Sequence, residues 1–317
     1  MRPALLALAL TVTGCSFFYG IGLRFVYDHQ DLPEANAIAD VPYVEGSDDP
    51  KHRLNLFVPL ADSVRQRPWP TVVYVHGGSW IEGDRGLRFG GEDLYGNIGR
   101  YFAARGIGAA VISYRLQPRV TWREQVSDVA RAVAEVREQV SARGGDPNAV
   151  VLMGHSAGGH LIGHVALDRE VQEAAGLPRG AVCGAIPVSA AALDLRDRES
   201  YAIAKNYPFY QARFAPPGTP RRESAPPAPE AWEVEASVAP LVTAEAPPFL
   251  VIYAEGDYPA LIRQSTLFAR TLAGAGVEHE VLELPGSSHE RIIAALSQDG
   301  YYAGPAMVAF VRGLECG

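Results

Sequence analysis

Gly154-His155-Ser156-Ala157-Gly158 has the spacing G-x-S-x-G, a serine between small residues. It follows the apolar run Val150-Val151-Leu152-Met153 and precedes a helix-compatible stretch over residues 159–167. A serine on a sharp strand-to-helix turn has its hydroxyl exposed above the sheet, and small neighbours let the backbone take the strained geometry this needs. The amide of Ala157, at the helix start, then points toward negative charge developing on a carbonyl under attack. A glycine-rich turn with an idle serine is the bland alternative, and the strand before and the helix after the motif speak against it.

A serine hydroxyl is a weak nucleophile at neutral pH, so a base must take its proton, and an imidazole suits that task. Of the eight histidines, His289 lies in Gly286-Ser287-Ser288-His289, a loop after the last strand-like run, and follows the serine in the chain. His155 and His160 flank Ser156 too closely to reach over it, and His279 falls inside a strand-like run. The acid that orients such a base should stand between the two, at the end of a strand. Residues 249–253 deliver Ala254-Glu255-Gly256-Asp257. Asp257 is favoured because the loop must rise clear of the strand before its carboxylate reaches the histidine, and Glu255 is the alternative.

A second loop, His76-Gly77-Gly78-Ser79-Trp80, also follows a strand-like run directly. Its glycines let the backbone approach a substrate carbonyl closely. Two of its amides, with that of Ala157, would form an oxyanion hole, in which one donor is typically worth about 2.7–4 kcal/mol of transition-state stabilisation.

With these parts in view, the chain resembles the bacterial α/β-hydrolase esterases related to hormone-sensitive lipase. The branch it resembles has an HGGxW loop and includes feruloyl and acetyl-xylan esterases and kynurenine formamidases. The likeness rests on His76-Gly77-Gly78-Ser79-Trp80, Ser113-Tyr114-Arg115, Gly145-Asp146-Pro147, the run from Gly154 through Gly159 to His160, Pro247-Pro248-Phe249, Gln264-Ser265, and Gly286 with His289. It implies an α/β-hydrolase fold with Ser156, Asp257 and His289 as the triad. It also implies Gly78, Ser79 and Ala157 as the oxyanion amides, with Gly77 lining the hole. Ser79 stands where the lipase-type loop has a third glycine, which favours the HGGxW branch and leaves open which two amides point inward. Tyr253-Ala254 replaces the histidine-glycine pair often found before the acid. The chemistry implied is acyl transfer from a small carboxylic ester to water through an acyl-enzyme on Ser156, with no cofactor. An amidase of arylformamidase type uses the same apparatus. A non-catalytic binding protein on a hydrolase fold is the reading from another class, and it normally lacks one of the three side chains.

These residues need a scaffold, and the rest of the chain describes one. Strand-like runs at residues 54–58, 71–75, 107–113, 150–153, 249–253 and 281–284 alternate with helical patterns, which predicts a mostly parallel sheet with helices on both faces. Val126, Val129, Val133, Val136 and Val140 mark the buried stripe of one helix, with Thr121 and Glu124 spaced as a capping box and Gly144-Gly145 as its stop. Residues 193–239 break the rhythm with Tyr207, Phe209, Tyr210, Ala215-Pro216-Pro217 and Ala225-Pro226-Pro227. They read as an insertion without core strand or regular helix, lying over the sheet edge, either as a lid over the site or as a surface excursion. Its aromatics and Trp80 line a pocket in one reading and simply pack in the other.

With 317 residues, 48% hydrophobic and 20% charged, the chain can bury one large core and is neither disordered nor fibrous. The net charge of −8 is spread along the chain, which gives no sign of a nucleic-acid surface, and no polyanionic partner is expected. Residues 1–14 have the layout of an export signal, and Val12-Thr13-Gly14-Cys15 resembles the lipobox of bacterial lipoproteins, so Cys15 is expected to carry a lipid that holds an exported protein on a membrane. An uncut segment continuing over residues 17–27 as an anchor is the competing reading, interrupted by Gly20, Gly22 and Arg24. Residues 15–50 are then a tether and lead-in, and residues 51–317 one hydrolase domain. No Cys/His spacing of metal-site type occurs. Export permits a disulfide between Cys183 and Cys316, but Cys183 sits in the apolar run 181–186, which reads as a buried strand, so a packed free thiol is expected.

Overall fold

The computed structural model describes residues 29–64, 68–89, 91–300 and 303–316. The leader 1–14, Cys15 and the possible anchor at 17–27 lie outside the described residues.

Among the described residues ten strands occur in chain order: β1 Ala37–Pro42, β2 Arg53–Phe57, β3 Trp69–Val75, β4 Arg88–Phe89, β5 Glu92–Asp93, β6 Gly108–Ile112, β7 Gly145–His155, β8 Gly184–Val188, β9 Phe249–Gly256 and β10 His279–Ser288. Eight form one sheet in the order β1-β2-β6-β3-β7-β8-β9-β10, and β4 pairs with β5 in a separate hairpin. β1, β2 and β6 join antiparallel, and every pairing from β6 to β10 is parallel. All six strands expected from the sequence are present. The edge strand β1 was not expected, because Ala-Ile-Ala-Asp-Val-Pro offers neither clean alternation nor a continuous apolar run.

β3, β6 and β8 are buried at every residue, as parallel strands covered on both faces must be. Neighbouring side chains point to opposite faces, so β3 supplies Val73 and Val75 to one apolar layer and Val72 and Tyr74 to the other. The helices Trp122–Ser141 and Ala157–Leu167 close the first layer, and Leu94–Ala103 and Ala303–Gly313 close the second. The valine stripe of Trp122–Ser141 is buried throughout, and Thr121 and Glu124 exchange both bonds of the capping box. Chain reversal follows at Gly144, with φ of 87°, and Gly145 already belongs to β7. The packed framework therefore presents the C-terminal ends of β3, β7, β9 and β10 along one edge, which is where ligands bind in open α/β sheets.

The inserted segment corrects one expectation. Residues 193–239 contain three short helices, Arg198–Ala204, Tyr207–Phe214 and Ala231–Glu235. The middle one buries Tyr207, Tyr210, Gln211 and Phe214, a stripe at spacings of three and four that the prolines around it obscured. Pro208 lies in its first turn, where a missing N–H costs nothing. Both ends of the excursion meet, since the carbonyl of Leu193 accepts the amides of Val238 and Ala239 at 3.0 and 2.8 Å.

The expected free thiol is also corrected: Cys183 and Cys316 form a disulfide, with Cα atoms 5.5 Å apart. β8 begins only at Gly184, so Cys183 lies half-buried before the strand rather than inside it, beside the residues that follow Ala303–Gly313. Among the described residues no helix is long and apolar enough to cross a membrane.

Candidate active site

Ser156 sits between the end of β7 and the helix Ala157–Leu167, with φ 52° and ψ −117°, a conformation that costs about 1–3 kcal/mol and must be held by its surroundings. Its N–H donates to Val188 O at 3.0 Å, and its carbonyl accepts from the amides of Gly159, His160 and Ala191. The flanking glycines are required by space. A Cβ on Gly158 would lie 2.2 Å from Val75 O, and one on Gly154 would lie 2.4 Å from Gly158 O.

His289 follows β10 directly, and its Nε2 is 3.1 Å from Ser156 Oγ. Its Nδ1 is 2.9 Å from Asp257 Oδ1. A carboxylate only accepts, so Nδ1 carries the proton and Nε2 is left as an acceptor facing the serine hydroxyl. Asp257 is 6% exposed and also accepts from the amide of Tyr258 at 2.8 Å. Burial raises its carboxyl pKa, but the hydrogen bonds from His289 and from the Tyr258 amide outweigh that and hold it below the ordinary aspartate value. Glu255, the alternative acid, is exposed and does something else: its Oε2 accepts from the amide of Gly286 at 2.7 Å, bracing the turn before His289.

The loop after β3 has its carbonyl groups fastened outward. Gly77 O accepts from His76 Nδ1 at 2.7 Å, and Gly78 O from the amides of Ile81 and Glu82. Ser79 O accepts from Arg213 Nε at 3.2 Å, and Trp80 O from the Gln117 amide and Gln125 Nε2. The Tyr114 hydroxyl faces His76 O at 3.0 Å, with its ring stacked on His76 at 4.4 Å. Gly78, Ser79 and Trp80 all have positive φ, at 109°, 53° and 65°, which the last two adopt only because these bonds over-determine them. Among the described residues, no protein acceptor takes the amide N–H of Gly78, Ser79 or Ala157. Gly77 packs against the elbow, where an added Cβ would lie 3.1 Å from Ser156 Cβ.

Ser156 and His289 open into a cavity of about 380 Å³ lined mainly by apolar groups, among them Trp80, Ile203, Phe209, Tyr210 and Leu261. The insertion thus forms one wall of the cavity, through residues of two of its helices. Of the aromatics singled out in the sequence, Trp80, Phe209 and Tyr210 line this space. Tyr207 instead packs on Tyr201 and Trp232 and donates to Glu230 at 2.9 Å. Sequence reasoning missed His160, whose Nδ1 accepts from Trp80 Nε1 at 3.3 Å and whose Nε2 donates to Ala236 O at 2.8 Å, fixing the tryptophan that walls the cavity. The signals available were its place one turn into the helix after Ser156 and its membership of the run, from Gly154 to His160, that carries the family resemblance.

A family model described as alpha/beta hydrolase fold matches residues 72–293. Esterase LipC of Mycobacterium tuberculosis is 32% identical over 246 residues, covering 76% of this chain and 57% of that protein. A probable isoprenylcysteine alpha-carbonyl methylesterase ICME of Oryza sativa subsp. japonica is 38% identical over 130 residues, covering 41% of this chain and 29% of that protein. The match therefore spans between 29% and 57% of the length of these two relatives. The crystal structure of esterase B from Lactobacillus Rhamnosis superposes with a TM-score of 0.67 at 24% identity, covering 98% of this chain and 93% of that one.

Proposed function

This chain belongs to the alpha/beta hydrolase fold family, and from that premise we propose that it is a carboxylic ester hydrolase working through an acyl-enzyme on Ser156. The observation that carries the proposal is the continuous line from Asp257 Oδ1 to His289 Nδ1 at 2.9 Å and from His289 Nε2 to Ser156 Oγ at 3.1 Å, on the wall of a cavity large enough for a small ester. Ser156 attacks the ester carbonyl as His289 Nε2 takes its proton, and Asp257 stabilises the resulting imidazolium. The negative oxygen is received by the free amides of Ala157 and of Gly78 and Ser79. His289 returns the proton to the departing alcohol, and water then repeats the sequence on the acyl-enzyme.

The relatives named as esterases support this reading, as does the apolar lining of the cavity, which suits a hydrocarbon acyl or alcohol group. We further propose that the protein is exported and held on a bacterial membrane by a lipid on Cys15, since the run Val12-Thr13-Gly14-Cys15 has lipobox character and a Cys183–Cys316 disulfide suits an oxidising compartment.

The test is hydrolysis of a panel of p-nitrophenyl acyl esters and an aryl formamide by the wild-type chain and Ser156→Ala. Ester turnover that vanishes in the variant is expected. Turnover of the formamide alone would move the reading to an amidase, and full activity in Ser156→Ala would overturn it. Metabolic labelling with palmitate, abolished by Cys15→Ser, tests the anchor.

A further inference from the structure

We infer that His155 is a positioning residue for the base: by donating Nε2–H to the main-chain carbonyl of His289, it sets where His289 stands relative to the nucleophile next door to itself. The inference rests on the reading of Ser156 and His289 as nucleophile and base.

The bond is 2.9 Å long and joins residues 134 apart in the chain. The carbonyl can only accept, so Nε2 must carry the proton and the neutral tautomer is fixed. Burial pushes the His155 pKa down to about 3, so the ring stays neutral and the donor stays in place through the neutral range. Its Nδ1 has no hydrogen-bond partner among the described residues and lies toward the loop after β3, where a Cβ on Gly77 would come within 3.0 Å of it. One imidazole thus touches three loops: it belongs to the serine elbow, bonds the base loop and packs against the His76-Gly77 loop. The His289 ring is flanked by His155 at 4.7 Å and by Tyr258 at 5.1 Å.

The register between β9 and β10 shifts between Leu284 and Ser288, and the ladder closes again only at the single pair Ser288↔Gly256 beside the base, so a second tie on His289 itself adds to a thin hold. The Glu255 bond to Gly286 N is exposed and lies three residues upstream. His155 immediately precedes Ser156. Tying the base's backbone to that residue makes the Oγ–Nε2 distance independent of breathing at the sheet edge. Misplacing such a pair by about 1 Å costs on the order of 10²-fold in rate.

The experiment compares His155→Phe, which keeps a planar ring without a donor, with His155→Gln, which keeps an amide donor. His155→Leu replaces the Phe chain if that chain does not fold. Three quantities are measured on the full chain: the rate at which a fluorophosphonate labels Ser156, kcat and KM on a p-nitrophenyl ester, and the melting temperature. Labelling rate and kcat should fall about 10- to 100-fold in the donor-less chain while KM stays within about twofold, and His155→Gln should recover most of both. Labelling of the donor-less chain at the wild-type rate overturns the inference, as does equal slowing in the Gln and donor-less chains, which would mark a packing role. A wild-type chain that is not labelled at Ser156 overturns the hydrolase reading itself, a result distinct from either.

Discussion

Arg213, in the helix Tyr207–Phe214, donates its Nε–H to the carbonyl oxygen of Ser79 at 3.2 Å, so the inserted segment grips the loop after β3. Its guanidinium also lies 4.7 Å over the ring of Phe209, a cavity-lining residue. Holding Ser79 O fixes the Ser79–Trp80 peptide, and with it two residues of positive φ.

Arg213→Ala should therefore lower kcat/KM about tenfold, a loss of about 1.4 kcal/mol of transition-state stabilisation. Steady-state kinetics on a p-nitrophenyl ester read this directly. Unchanged kcat/KM would mean that the other carbonyl contacts hold the loop without it.

The two acids make different contacts, Asp257 with His289 and Glu255 with the Gly286 amide. Asp257→Asn keeps the shape but removes the charge that fixes the His289 tautomer, and kcat should fall by about 10⁴-fold. Glu255→Gln still accepts from Gly286 N and should cost less than about tenfold. The reverse ranking would reassign the acid.

Four of the five buried histidines make the fold acid-sensitive. Burial lowers the pKa of His76 and His164 to about 4 and of His155 to about 3, and that of His160 well below its ordinary value. In the unfolded chain each binds a proton near about pH 6.5 while the folded chain excludes it, so stability falls as pH drops from there toward about 4. Each histidine adds a slope approaching about 1.4 kcal/mol per pH unit. Asp257, whose pKa is lowered, contributes stability above the ordinary carboxylate pKa and loses it only below that, so it does not offset this window. Urea midpoints should be flat above about pH 7.5 and fall steeply below about pH 6. A flat profile down to about pH 5 would contradict the burial of these rings.

Cys316→Ser removes a bridge that spans 133 residues of sequence. Such a cross-link chiefly restricts the unfolded chain, and its loss should cost about 2–5 kcal/mol. Thermal melts of the variant, and of wild type with and without dithiothreitol, measure it. The bridge lies outside the residues lining the cavity, so kcat at 25 °C should change less than about twofold.

The candidate site was legible in the sequence because its parts are local. The G-x-S-x-G spacing is written into the chain where an elbow admits no Cβ on Gly154 or Gly158, and His76-Gly77-Gly78 follows a run that is apolar because β3 is buried on both faces. Strand and helix periods were equally readable, down to the Thr121–Glu124 cap.

The sequence alone therefore determined most of the sheet, the helices that cover its two faces outside the insertion, and which serine, histidine and acid to consider. Only the tertiary structure separated Asp257 from Glu255, joined Cys183 to Cys316, and brought Arg213, His155 and His160 to the site. It also turned the proline-rich insertion into a helix and a cavity wall, through a stripe from Tyr207 to Phe214 that is stable only against its neighbours. The physical reason is range. Propensity, periodicity and close approach act within a few residues, whereas these contacts join residues from 32 apart, for Asp257 and His289, to 134 apart, for Arg213 and Ser79, and depend on where the packed layers place each chain segment.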